Sequence, residues 1–215
     1  MGQYLLFLRP RRFGKSLWLS TLKNYYDLNK KDVFDRLFAD LWIGKNPTPM
    51  ANQYFVLKWD FSCVKCSGSN EEIEKSLYKH VNARIKRFAF DYAHILKAKI
   101  EIDPESGINS FENLLTLISN KTHKLYLFID EYDNFANELM ASKREDEYYK
   151  MTDLDGFLKS FFKSLKSATE GMGLDRMFLT GVTPILLNDI TSGDNIKTDI
   201  HIFAALCGSL RLYRF

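Results

Sequence analysis

Four short apolar runs, Tyr4–Leu8, Tyr54–Phe61, Leu125–Ile129 and the one beginning at Met177–Leu179, are separated by stretches whose apolar residues recur at helical spacing. Each run has the length of a strand and is nearly continuous in its hydrophobicity, so both of its faces have to be covered. Such strands alternating with helices predict an α/β fold with a mostly parallel central sheet between two helical layers.

The intervening stretches support that reading. From Lys15 to about Tyr26 the apolar positions Leu19, Leu22 and Tyr26 lie on one helical face, and a second helical stretch spans Val33–Trp42 before Asn46-Pro47-Thr48-Pro49 breaks it. Ser69 and Glu72 have the spacing of a capping box. The long helix they would open carries Ile73, Leu77, Val81, Ile85, Phe88, Tyr92 and Ile95 on one side. Phe111–Ile118 is amphipathic, and Leu154, Leu158, Phe161, Phe162 and Leu165 mark a further helix. Residues 141–153 are polar, with the run Lys143-Arg144-Glu145-Asp146-Glu147, and are expected to form a mobile loop.

Hydrophobic residues make up 46% of the 215 positions, 17 Phe and 11 Tyr among them, which is enough for a sizeable core and excludes a disordered chain. A formal net charge of +3 is too balanced to imply nucleic-acid binding by itself. The apolar run Tyr4–Leu8 is too short for a secretory segment or a membrane span, and Leu6 stands where a myristoylation signal needs Ser or Thr. A cytoplasmic location without membrane attachment is therefore expected. Cys63 and Cys66 form a C-x-x-C whose zinc reading would need partners such as His80 and His94; two reduced thiols near a strand end are the expectation.

Chemistry concentrates at three strand ends. Directly after the first run comes Arg9-Pro10-Arg11-Arg12-Phe13-Gly14-Lys15-Ser16, a phosphate-binding loop in which Arg9 replaces the usual first glycine. Backbone N–H groups of Arg12, Phe13, Gly14, Lys15 and Ser16 would curl around phosphate oxygens at the start of a helix whose dipole favours an anion. Pro10 has no N–H to give but lies early in the loop, and Arg11 and Arg12 add positive charge. Lys15 would reach the outer phosphates, and the Ser16 hydroxyl would ligate Mg²⁺.

The run Leu125–Ile129 ends in Asp130-Glu131, suited to holding Mg²⁺ and to activating a water as general base. The fourth run ends in Thr180-Gly181-Val182-Thr183. Thr180 is the expected residue for orienting that water or sensing the outer phosphate, with Thr183 the runner-up.

Taken together, "RPRRFGKSL", "LFIDEYDN" and "FLTGVTPILLNDITSGDNIKTDI" closely resemble the AAA-ATPase-like domain of prokaryotic proteins that often carry a C-terminal PD-(D/E)XK nuclease-like domain. The RPRRFGKS form of the loop is characteristic of that group, so the missing glycine is a family variant. The resemblance runs from Tyr4 to about Gly208 and implies a P-loop NTPase three-layer α/β/α sandwich of the additional-strand catalytic-glutamate type, with ATP as nucleotide and Mg²⁺ beside it. It gives Asp130 and Glu131 the roles just read from the residues; the expected site thus has nucleotide contacts on Arg11, Arg12, Phe13, Gly14, Lys15, Ser16 and Leu17, metal contacts on Ser16 and Asp130, and catalysis on Lys15, Glu131 and Thr180. The expected domain spans 1–208; 209–215 is a divergent tail, with the lid and nuclease-like domain absent and the chain truncated at both ends.

A Mg-dependent ATPase that regulates an attached or partner effector is the leading expectation. A nucleotide-dependent switch without appreciable turnover and an inactive remnant are the alternatives. An arginine from a further copy of the chain or another domain would assist hydrolysis, with Arg144 and Arg176 as the candidates. Arg84, Lys86 and Arg87 leave nucleic-acid binding open, although on a long helix such residues more often form a solvated face.

Overall fold

Strand β1 (Tyr4–Leu8) lies in the interior of a parallel sheet, between β4 (Leu174–Gly181) and the two-residue β5 (Thr198–Asp199). Beyond β4 come β3 (Lys124–Asp130) and then β2 (Tyr54–Asp60) at the other side, so the order is β2-β3-β4-β1-β5. The computed structural model describes residues 4–153, 155–169 and 171–184, and the backbone of 198–199. The additional strand implied by the family resemblance is β4, inserted between the strand that feeds the phosphate loop and the strand that carries the acid pair.

Register decides what meets at the carboxyl ends. Phe7 pairs with Thr180 and Leu8 with Gly181; Ile129 pairs with Leu179, and Asp60 with Asp130. Phe7, Thr180, Asp130 and Asp60 therefore stand nearly level across four strands. With strands about 4.8 Å apart, the loop after β1 and the acids after β3 are separated by about 10 Å, the width of β4 between them.

Helices cover both faces. Helix α1 (Lys15–Tyr26) lies over Leu5, Phe7, Val56, Tyr126, Phe128 and Phe178, into which it inserts Leu19. Two short helices follow, α2 (Phe34–Phe38) and α3 (Trp42–Lys45). The opposite face carries Leu6, Phe55, Leu57, Trp59, Leu127, Ile129 and Leu179. It is covered by α4 (Asn70–Asp91), prolonged by α5 (Ala93–Leu96), and by α6 (Gly107–Ser119), α7 (Asn134–Ala141), α8 (Glu145–Thr152) and α9 (Phe157–Ala168). The large aromatic content sits here: Trp59 meets Phe111 and Phe161, and Phe61 meets Phe135.

The expected capping box is present: the Ser69 hydroxyl accepts from the Glu72 N–H, and the Glu72 carboxylate from the Ser69 N–H. At the far end of α4, Tyr92 takes an open backbone conformation (φ −110°, ψ 15°) and the helix stops, so Ile95 belongs to α5.

Two expectations are corrected. Val33–Trp42 is not one helix, because Leu41 is extended and Gly44 passes so close to the Phe38 carbonyl that any side chain would overlap it. Residues 141–153 are largely helical: α8 opens on Glu145, Asp146 and Glu147, which suit the positive end of a helix, and it buries Tyr148 and Met151. Leu154 lies outside the described residues, as do most of the third resemblance motif after Pro184 and the tail. Among the described residues no helix is long and apolar enough to cross a membrane.

Candidate functional site

The loop after β1 stays tied to the sheet through its first residue. Arg9 donates its N–H to the Gly181 carbonyl, extending the β1–β4 pairing by one step, and its guanidinium packs on the rings of Phe7 and Phe13, 5.3 Å from each centroid. The left-handed positions fall later, at Arg12 (φ 65°) and Gly14 (φ 89°). Glycine is thus needed at 14 and not at 9, which is the local reason that an arginine is tolerated where a phosphate loop usually starts.

Helix α1 begins at Lys15 with no side chain capping its first amides and no acid in its first turn. A Cβ built at Gly14 would meet nothing within 4 Å, so the loop faces open space there. Lys15 is buried, and its ammonium donates to the carbonyls of Arg9 (3.0 Å) and Pro10 (3.2 Å), curling back over the loop's interior. Arg11, Arg12, Phe13, Ser16 and Leu17 are exposed on the same turn. This end of the molecule collects uncapped amides and positive charge.

Across β4 stand the acids. Asp130 is almost fully buried, and its two carboxylate oxygens have separate partners: Thr180 donates its hydroxyl to Oδ1 at 2.5 Å, and Lys58 its ammonium to Oδ2 at 3.0 Å. Lys58 also contacts Asp60 at 3.3 Å. Glu131 adopts the left-handed conformation (φ 50°), which costs an ordinary residue about 1 kcal/mol or more and turns the chain out of β3. Its N–H reaches the Thr180 hydroxyl at 3.4 Å. Burial, then the neighbouring Asp130 and Asp60, raise the Glu131 pKa; Lys15 and Arg11 act in the opposite direction. Those last two influences tie the phosphate loop to the acid pair electrostatically.

Thr180 and Thr183 part company. Thr180 touches the acids, whereas Thr183 is bound by its N–H (2.7 Å) and hydroxyl (3.1 Å) to Asp133, which also accepts from the Val182 N–H. The Tyr132 hydroxyl donates to the Thr183 carbonyl. Asp133 and Tyr132 thereby fasten the turn after β4 beside the acid pair. Neither was expected, nor were Lys58 and Asp60. The legible signals were a third acid in Asp130-Glu131-Tyr132-Asp133 and two charges interrupting the otherwise apolar end of β2.

Both arginine candidates have other partners. Arg144 donates to the carbonyls of Cys66 and Gly68 and pairs with Glu147. Arg176 sits in the first half of β4, donating to the Tyr54 hydroxyl and pairing with Asp175. Of the C-x-x-C cysteines, Cys63 is exposed, while burial pushes the Cys66 thiol up to about 12, which keeps it protonated. The His80 ring accepts the Asp60 N–H, and His94 lies on α5.

A parallel sheet with this strand order, a lysine-bearing loop entering a helix, and an acid pair on the strand next but one define a P-loop NTPase-like α/β domain. The chain matches the family model of the AAA-ATPase-like proteins, described as predicted AAA-ATPase, over residues 1–191, and it belongs to that family. No curated protein matches it. Membership carries nucleotide binding as the coarse functional assignment.

Proposed function

We propose that this chain binds Mg-ATP at the Arg9–Ser16 loop and hydrolyses it, the cycle regulating an attached or partner effector in the cytoplasm. The observation that carries the reading is the Thr180 hydroxyl lodged between Asp130 and Glu131, level with the loop and one strand away from it.

The residues present suit the ligands. Uncapped α1 amides, two left-handed residues and open space at Gly14 suit a phosphate. The Ser16 hydroxyl and Asp130 carboxylate are the hard oxygens that Mg²⁺ prefers. No group of three or more His, Cys, Asp or Glu side chains that could hold a metal occurs among the described residues. Mg²⁺ bound through one carboxylate, a hydroxyl and the substrate's own phosphates needs none.

In this reading Arg11 and Arg12 attract the anion, and the backbone from Arg12 to Leu17 receives its phosphate oxygens. Lys15 exchanges the Arg9 and Pro10 carbonyls for the outer phosphates. Bound Mg²⁺ would neutralise charge on those oxygens. Glu131, whose raised pKa suits a general base, takes the proton of the water that attacks the terminal phosphorus as the bond to the ADP oxygen breaks. Thr180 orients that water while holding Asp130 in place.

The Glu131→Gln substitution tests it. Turnover should fall by about 100-fold or more while ATP binding persists. One observation favours a second reading, a nucleotide-dependent switch without appreciable turnover: Lys58 occupies Asp130 and would compete with the cation for its carboxylate. Wild type that binds ATP but releases phosphate no faster than the Glu131→Gln protein belongs to that class.

A further inference from the structure

Sheet edges are usually blunted, and β2 shows how this one is. The Val56 N–H is taken by the Tyr92 hydroxyl and the Asp60 N–H by the His80 ring, both offered from the α4 side. Between these stoppers, α1 and α4 stand apart and leave a cleft of about 510 Å³ along the strand. That is within the usual range for small-molecule sites.

The cleft's charge is unbalanced. Lys23, Lys30, Lys58, Arg84 and Arg87 line it, and its carboxylates already have partners. Asp27 accepts from the Tyr92 hydroxyl and the Asn29 N–H, Asp60 from Ser62 and Lys58, and Asp91 from Arg87. Among the described residues Lys23, Lys30 and Arg84 form no ion pair, and they converge on the cleft from three elements: α1, the turn after it, and α4. Burial lowers the Lys23 pKa; Asp27, and more weakly Asp91, oppose the shift, while the like charges of Lys58 and Lys30 add to it. A bound anion would relieve this crowding.

We propose that this cleft binds a small molecule carrying two or more phosphoryl groups, held by Lys23, Lys30 and Arg84, with Lys58 at its inner end. Cations outnumber carboxylates in the lining by two, a surplus that one carboxylate leaves partly unbalanced and that two or more phosphoryl groups can meet. The recess between two helices suits a compact ligand better than a nucleic-acid strand, which needs a continuous basic stripe. Because Lys58 also holds Asp130, the ligand and the acid pair share one ammonium. Binding at the cleft does not depend on the ATPase reading; an influence on turnover through Lys58 rests on it.

Calorimetric titration of inorganic tripolyphosphate separates the two sites. In Lys15→Ala protein, which disables the loop, saturable binding should persist, and adding Lys30→Ala and Arg84→Ala should weaken it by about tenfold or more. Should Lys15→Ala protein fold poorly, the Lys30→Ala/Arg84→Ala pair in the wild-type background should remove one of two binding events. Parallel titration with ADP distinguishes the sources: tighter binding than tripolyphosphate points to a nucleotide, and equal binding to polyphosphate itself. Affinity insensitive to Lys30 and Arg84 overturns the site. A single-stranded oligonucleotide that binds more tightly and displaces tripolyphosphate overturns the small-ligand assignment.

Discussion

The Thr180 hydroxyl on β4 donates to the Asp130 carboxylate at the end of β3, across a single strand spacing and with both side chains buried. A hydrogen bond to a charged group in such a place is worth about 1.5–3 kcal/mol. Thr180→Val, which keeps the shape and removes the hydroxyl, should therefore cost about 2 kcal/mol in urea unfolding. It should also lower phosphate release, and Thr180→Ser should restore both. Full activity in the Val protein would remove Thr180 from the mechanism.

Lys58 is the second support of Asp130. Its pKa is raised by Asp130 and Asp60 against the desolvation that burial imposes, so it stays an ammonium at neutral pH. Lys58→Met leaves Asp130 with one partner in a buried place, at a cost of about 2 kcal/mol for this half-buried pair. Removing Asp130 as well, with Asp130→Asn, should recover part of that loss. A double-mutant cycle with no coupling would show that the 3.0 Å contact contributes nothing in solution.

Stability should carry a histidine signature. Burial, reinforced by Arg84, lowers the His80 pKa from 6.5 to about 4, and the neutral ring accepts the Asp60 N–H. Between those values the unfolded chain binds a proton that the folded chain refuses. The contribution is therefore complete above pH 6.5 and is lost progressively as pH falls toward 4. Urea midpoints of wild type should drop more steeply between pH 7 and pH 4.5 than those of His80→Gln. Parallel profiles would contradict the assignment.

Gly181 is crowded. A Cβ there would lie 2.5 Å from the Tyr132 ring and 2.7 Å from an Asp133 oxygen. Gly181→Ala should cost about 1–3 kcal/mol by displacing the two residues that fasten the Val182–Thr183 turn. An alanine protein with an unchanged melting temperature would mean that the turn has room to move.

Much of this was legible along the chain. Tyr4–Leu8 and the Ser69 capping box are found as read, and Lys15, Asp130, Glu131 and Thr180 gather at one end of the sheet because each closes or follows an apolar run. What escaped was tertiary. Lys58 and Asp60 matter through the register that sets Asp60 opposite Asp130, a property of two strands 70 residues apart and of neither alone. Asp133 looked like one more acid in a turn until β4 brought Val182 and Thr183 to it. Helix α8 was hidden because its charged residues outnumber its buried Tyr148 and Met151.

The central claim is that one triphosphate is shared by the α1 loop and the acids of β3. Calorimetry with Mg-ATP on wild type, Lys15→Ala and Glu131→Gln, run beside a phosphate-release assay, tests it most directly. Saturable heat in wild type and Glu131→Gln, loss from Lys15→Ala of every binding event except the one that Lys30 and Arg84 support, and phosphate release from wild type alone is the predicted result. No heat from the wild-type chain, or equal heat from Lys15→Ala, would contradict it.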